Sequence, residues 1–144
     1  MFSKKCEYAI KASIFIAEES LKQKRTNLKA IASTIGSPVV FTAKILQDMV
    51  RAEIIVSIRG ATGGFEMTNQ QVQKLTLADI VRAIDGEGVF YHCVLGLEHC
   101  SDTNPCPVHR TYKSIRSTTN KMLEETLIQT LAQEVEQKTG TLKN

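Results

Sequence analysis

From Tyr8 onward the apolar residues Tyr8, Ala9, Ala12, Phe15 and Ile16 recur at helical spacing, with Lys4, Lys5, Lys11, Glu18 and Glu19 distributed around them. The pattern predicts a first helix ending near Leu21. The stretch from Lys22 to Thr26 is polar and basic, and Asn27 can then cap a short helix with Leu28, Ile31, Ala32 and Ile35 on one face, stopped by Gly36. Ser37 and Pro38 supply an N-cap followed by proline at the first helical position, where its missing N–H is no loss. A second amphipathic helix should run to about Arg51, with Phe41, Ile45, Leu46 and Met49 facing inward and Val40, Ala43, Lys44, Gln47 and Arg51 sharing the outward face. Two helices joined at Gly36 and Ser37 have the spacing of a helix-turn-helix, the second helix being the reader.

Beyond it the period changes. Ile54 to Ile58 reads as a strand rich in β-branched residues, Arg59-Gly-Ala-Thr-Gly-Gly64 as a turn, and Phe65 to Thr68 as the returning strand. A helix-turn-helix followed by such a hairpin is the winged-helix arrangement, in which a helix enters the major groove and the wing reaches the backbone or minor groove. Thr76 to Asp79 has the form of a capping box, opening a helix with Leu77, Ile80, Val81 and Ile84 inward and Gly86 after its end. A cysteine-bearing stretch, 88–106, follows. Pro107 can open a long helix striped by Val108, Tyr112, Ile115, Thr119, Met122 and Leu123, and a shorter piece carries Leu127, Leu131 and Val135. A lone helix with that stripe must bury it, and a two-fold antiparallel partner is the natural solution. The expected fold is mainly α with a small β-hairpin wing. It divides into a winged helix-turn-helix over 1–75, a sensor loop and long C-terminal dimerisation helices over 76–137, and a disordered tail over 138–144.

Charge sharpens this picture. Residues 1–60 carry 10 Lys and Arg against 5 Asp and Glu, whereas residues 61–144 carry 8 against 10, so the basic excess lies in the proposed reading half. The longest run without a charged residue, Ala30 to Ala43, falls short of the ~20 apolar residues of a membrane span, and no secretory leader is evident. A cytoplasmic protein with no membrane partner is expected. No Ser/His/Asp grouping, Walker-type loop or paired-carboxylate motif points to an enzyme.

Cys93, Cys100 and Cys106 lie within fourteen residues, and His109 follows the last of them after only Pro107 and Val108. Clustered soft donors suit zinc or an iron–sulfur cluster, three thiolates needing one further ligand. Spacing alone leaves unmetallated thiols equally open, while disulfides are disfavoured in a reducing compartment. Cys6 stands apart, as a buried structural thiol. On the nucleic-acid side, the guanidinium of Arg59 at the wing tip can enter a narrow minor groove, and Gly60 and Thr62 share its turn. Lys44 and Gln47 are the direct readers, with Val40 beside them, and Lys29 is a positioning contact together with Lys4 and Lys5.

Five segments together resemble the IscR/NsrR family of bacterial winged-helix regulators. They are Glu7-Tyr-Ala-Ile-Lys-Ala12, Leu28-Lys-Ala-Ile-Ala32, Ser57-Ile-Arg-Gly-Ala-Thr-Gly-Gly-Phe65, Leu77-Ala-Asp-Ile-Val-Arg-Ala-Ile-Asp-Gly86 and the three-cysteine loop. The resemblance implies a homodimeric transcription factor on a pseudo-palindromic DNA operator, sensing iron–sulfur status, nitric oxide or redox stress through a [2Fe–2S] or [4Fe–4S] cluster. Carried over, it makes Cys93, Cys100 and Cys106 the thiolate ligands. The fourth ligand is His109, as in IscR-like members, or Glu7 of the partner's first helix, as in NsrR-like members. Two positions depart from the family pattern: six residues rather than five separate Cys93 from Cys100, and Ala43 stands where IscR-like proteins carry a glutamate that filters target sites. A cluster-free regulator sensing through its thiols is the alternative, and an iron–sulfur carrier a more remote one.

Overall fold

The structure is a computed structural model that describes residues 1–143. Seven helices and one hairpin follow in chain order: α1 Lys4–Leu21, α2 Leu28–Ile35, α3 Val39–Arg51, β1 Val56–Ile58, β2 Gly64–Glu66, α4 Asn69–Lys74, α5 Leu77–Asp85, α6 His109–Glu125 and α7 Ile128–Glu136. A 3₁₀ turn, Glu87–Phe90, follows α5. The expected winged helix-turn-helix and long C-terminal helix are both present. Among the described residues, no helix is long and apolar enough to cross a membrane.

Local chemistry explains most boundaries. Ser3 accepts from the Cys6 N–H, so α1 begins four residues before the Tyr8 at which its apolar pattern becomes visible. Asn27 accepts from the Ala30 N–H to start α2, and Gly36, at φ +68°, ends it in the left-handed region. Ser37 does not cap α3. Its hydroxyl makes no bond to the helix, Pro38 takes the cap position, and the Thr42 hydroxyl donates to the Pro38 carbonyl at 2.9 Å. Thr42 is accordingly buried along with Ile45, Leu46 and Met49, whereas Phe41 is only half-buried, its ring edge-on to Tyr8.

The strands are shorter than their β-branched runs. Ile54 and Ile55 turn inward after α3 and join the core, leaving Val56, Ser57 and Ile58 to pair antiparallel with Glu66, Phe65 and Gly64. A helix the apolar pattern does not predict, α4, is set by a capping box in which Thr68 and Gln71 satisfy each other's backbone N–H groups. The box at Thr76 and Asp79 opens α5 as expected. Pro107 lies in a turn, so α6 begins at His109.

One hydrophobic core runs through α1, α2, α3, α5 and α7 and includes Leu123 of α6. Helix α1 is its axis, packed against α7, α5, α2 and α3. Asp85, at the end of α5, accepts from both the N–H (2.8 Å) and the hydroxyl of Ser3 and so ties the Ala-Ile-Asp-Gly segment to the start of α1. The α6 stripe mostly stays outside. Of its members Leu123 alone is buried, while Val108, Ile115 and Met122 are exposed. The expected tail, 138–144, starts in turns bonded back to α7 through Lys138 and Thr139, and Asn144 lies outside the described residues.

Candidate nucleic-acid interface and metal centre

Burial of Thr42, Ile45, Leu46 and Met49 leaves α3 presenting Val40, Lys44, Gln47 and Arg51 to solvent. Beside this face stands the wing. Between them is a groove of about 620 Å³ lined by Leu28, Ala43, Gln47, Val50, Arg51, Ser57, Arg59 and Phe65. Fold thus brings Gln47 of the helix and Arg59 of the wing into one concavity with Arg51, which the sequence placed on the same face without assigning it a contact. Val40, Lys44 and Lys29 are exposed outside the groove lining, and Gly60 and Thr62 form the exposed wing turn.

Two arrangements hold the wing against the helices. The Gly63 N–H closes the turn on the Gly60 carbonyl at 3.0 Å. At its base Phe65 pairs with Thr26, donating at 2.8 Å and accepting at 3.1 Å, an approach that only a glycine at 64 permits: a Cβ there would stand 2.7 Å from the Thr26 carbonyl oxygen. Arg25 completes the joint, its Nε donating to Glu66 at 2.9 Å and a terminal nitrogen to the Thr62 carbonyl at 3.1 Å. Sequence reading placed Arg25 only within a basic connector. No local signal could have found its role, because its partners lie about forty positions away.

The cysteine loop is built differently. Residues 91–108 form no helix or strand and are tethered by α6 instead. Arg116 donates to the carbonyls of Tyr91 (2.8 Å) and His92 (2.9 Å), and Asn120 to that of Phe90 (2.8 Å), which fixes the chain just before Cys93. At the other end the His109 N–H donates to the Cys106 carbonyl at 3.0 Å. The three sulfurs of Cys93, Cys100 and Cys106 then lie within 4.8 Å of one another, Cys93 and Cys106 being 3.6 Å apart. An open cleft of about 270 Å³ lies beside Cys100 and Cys106.

His109 belongs to this group and Glu7 does not, within one chain. Nδ1 of His109 lies 3.1 Å from the Cys100 sulfur, and Nε2 is 3.0 Å from Asp102. Glu7 is instead held by Lys4 at 2.9 Å, which keeps its carboxyl below the usual range. The thiols differ in character. Backbone N–H groups of Leu95 and Leu97 bring Cys93 down to about 7, whereas at Cys100 the N–H of Cys106 favours thiolate but burial and the adjoining sulfurs outweigh it and raise the pKa. Lys113, then His109, holds Asp102 below its ordinary value. Cys6 is buried in the core, as expected, and burial beside Asp85 pushes its thiol up to about 12.

Three convergent sulfurs with an imidazole nitrogen beside them are a soft donor set, suited to iron–sulfur or zinc chemistry and poorly suited to magnesium or calcium. The residues fit such a group. Together, an exposed reading helix, a braced wing and a tethered thiol loop define a winged-helix DNA-binding regulator with a candidate sensor site.

The profile of the Rrf2 family, described as an iron-dependent transcriptional regulator, matches residues 2–134, and the chain belongs to that family. It is 24% identical over 132 residues to the HTH-type transcriptional regulator NsrR of Oceanobacillus iheyensis, covering 91% of this chain and 88% of that one. An HTH-type transcriptional regulator of Aquifex aeolicus is 26% identical over 133 residues, covering 91% and 90%. Among solved structures, CymR of B. subtilis, the global cysteine regulator, superposes with a TM-score of 0.76 at 25% identity over 92% of this chain and 96% of that one. IscR of T. potens does so with a TM-score of 0.73 at 17% identity, over 98% and 92%, a likeness of fold. Family and fold are those of transcriptional regulators and not of enzymes.

Proposed function

We propose that this chain is a homodimeric transcriptional regulator that senses iron–sulfur status, nitric oxide or redox stress through a cluster held by Cys93, Cys100, Cys106 and His109. The observation that carries the reading is the convergence of three sulfurs within 4.8 Å, with His109 Nδ1 3.1 Å from one of them. When bound, a [2Fe–2S] or [4Fe–4S] cluster supplies iron that reacts with oxidants and nitric oxide, most readily where the ligand is not a thiolate. The protein's part is to hold that site open to solvent while α6 anchors both ends of the loop. The likeness to the relative named NsrR supports the same reading.

Each subunit contributes one reading helix and one wing, and a pseudo-palindromic operator would receive two. Val108, Tyr112, Ile115, Thr119 and Met122 repeat at alternating four- and three-residue steps along α6, a seam that suits packing against a second copy of that helix. Dimerisation would also bring a partner's Glu7 into play as a substitute ligand. Operator contacts are assigned to Val40, Lys44, Gln47, Arg59, Gly60, Thr62 and Lys29.

A second reading has its own support. The lowered pKa of Cys93, its sulfur 3.6 Å from that of Cys106, and the likeness to CymR favour direct thiol sensing without a cluster. Anaerobic purification with visible absorption and iron and sulfide assay, on wild type and Cys100→Ala, separates the two. The cluster reading expects a coloured wild type with iron and sulfide, and their loss in the variant. A wild type that stays colourless and iron-free after reconstitution overturns it in favour of the thiols.

A further inference from the structure

The His109 ring has two nitrogens, and the structure uses them for different purposes. Nδ1 faces the Cys100 sulfur at 3.1 Å, while Nε2 meets a carboxylate oxygen of Asp102 at 3.0 Å. Asp102 is presented by a tight turn in which Ser101 and Asn104 exchange backbone hydrogen bonds at 3.2 Å. That turn lies between the second and third cysteines. Its carboxylate is gripped from a second direction by Lys113, whose Nζ is 2.8 and 2.6 Å from the two oxygens. His109 and Lys113 stand four residues apart on α6 and so share one helix face. Asp102 spans them both.

We propose that Asp102, braced by Lys113, is a positioning residue that presents Nδ1 of His109 to the cysteine group and keeps Nε2 out of it. The inference rests on the reading of Cys93, Cys100, Cys106 and His109 as a metal centre. A carboxylate on the far nitrogen fixes the ring's tautomer and orientation and raises the basicity of the nitrogen that ligates. Stability is not its purpose: the Asp102 side chain is 70% exposed and that of Lys113 53%, and an ion pair so solvated contributes little to folding. The His109 side chain, by contrast, is only 10% exposed, so the orientation given to its ring is retained.

Cobalt(II) is a suitable probe, because its visible bands report the donor set. The full chain, reduced and anaerobic, is titrated with cobalt(II) against a competing chelator as wild type, Asp102→Ala, Asp102→Glu, His109→Ala and the Asp102→Ala/His109→Ala double variant. Asp102→Ala should weaken binding about 10–100-fold and shift the visible bands, as expected for loss of a group that orients a ligand. Asp102→Glu should recover part of the affinity. In the His109→Ala background, removing Asp102 should change nothing further, because the residue acts through the imidazole. Wild-type affinity and bands in Asp102→Ala, or an equal loss in both backgrounds, overturn the inference while leaving the centre intact. A wild type that binds neither cobalt(II) nor iron and sulfide overturns the centre and the inference with it.

Discussion

Replacing Gly64 by alanine tests whether the wing's position depends on a close backbone approach. A Cβ at 64 would lie 2.7 Å from the Thr26 carbonyl oxygen and 3.3 Å from its carbon, and the residue's φ of +142° is one that L side chains rarely adopt. Two responses are open to the chain. It can keep the Thr26–Phe65 pair and accept the strained backbone, at about 1–3 kcal/mol. Or it can let the wing swing away, losing two hydrogen bonds at about 0.5–1.5 kcal/mol each. Either route comes to about 2 kcal/mol, equivalent to a fall of about 4–8 °C in Tm for a chain of this size. Gly60→Ala is the control, since its φ is +105° but a Cβ there would touch nothing within 4 Å. It should strain the turn and leave the pairing intact. Thermal unfolding by circular dichroism and binding of a selected operator duplex by fluorescence anisotropy read the two effects. Gly64→Ala should lower both Tm and affinity, and should lower affinity more than Gly60→Ala does. Wild-type Tm and affinity in Gly64→Ala would refute the argument that this contact positions the wing.

Arg59→Ala should weaken operator binding and reduce the slope of log affinity against log salt by about one phosphate equivalent if Arg59 meets the backbone; if it enters the minor groove, A·T preference should relax instead. An unchanged affinity, slope and sequence preference by anisotropy would remove Arg59 from the interface. Ile115→Glu places a charge in the middle of the exposed α6 stripe and should shift sedimentation toward monomer without unfolding the chain, because Ile115 is 52% exposed in the single subunit. For Cys6, whose folded pKa is raised to about 12, the native state holds its proton where the unfolded thiol has lost it. Stability associated with this thiol is therefore fully present below its unfolded pKa of about 8.5 and is lost as pH rises toward about 12. Mass-spectrometric alkylation at pH 8 should spare Cys6 until the chain unfolds, and rapid native labelling of Cys6 would contradict its placement.

Individual residues show why some of this was legible and some was not. Asn27, Gly36, Thr76 and Gly86 act on their immediate neighbours, so the ends of α2 and of α5 could be read directly. Helix α4 carries the same kind of signal at Thr68 and Gln71, but only Val72 is buried in it, too little to create a periodic pattern. Ile54 and Ile55 have strand propensity yet fill the core after α3, burial overriding preference.

The chain's local order by itself determined the helix-turn-helix, the glycine-bearing wing, the long α6 and the spacing of three cysteines before a histidine. Caps, periods and turn residues act over a few positions, and that range is enough for them. Tertiary structure alone decided that Thr26 pairs with Phe65, that Arg25 grips Glu66, that Asp85 accepts from Ser3 and that Asp102 meets Nε2 of His109. The first three join residues 39 to 82 positions apart, and the last depends on an irregular loop folded onto α6. Such contacts follow from how the core orients whole elements, which no local propensity encodes.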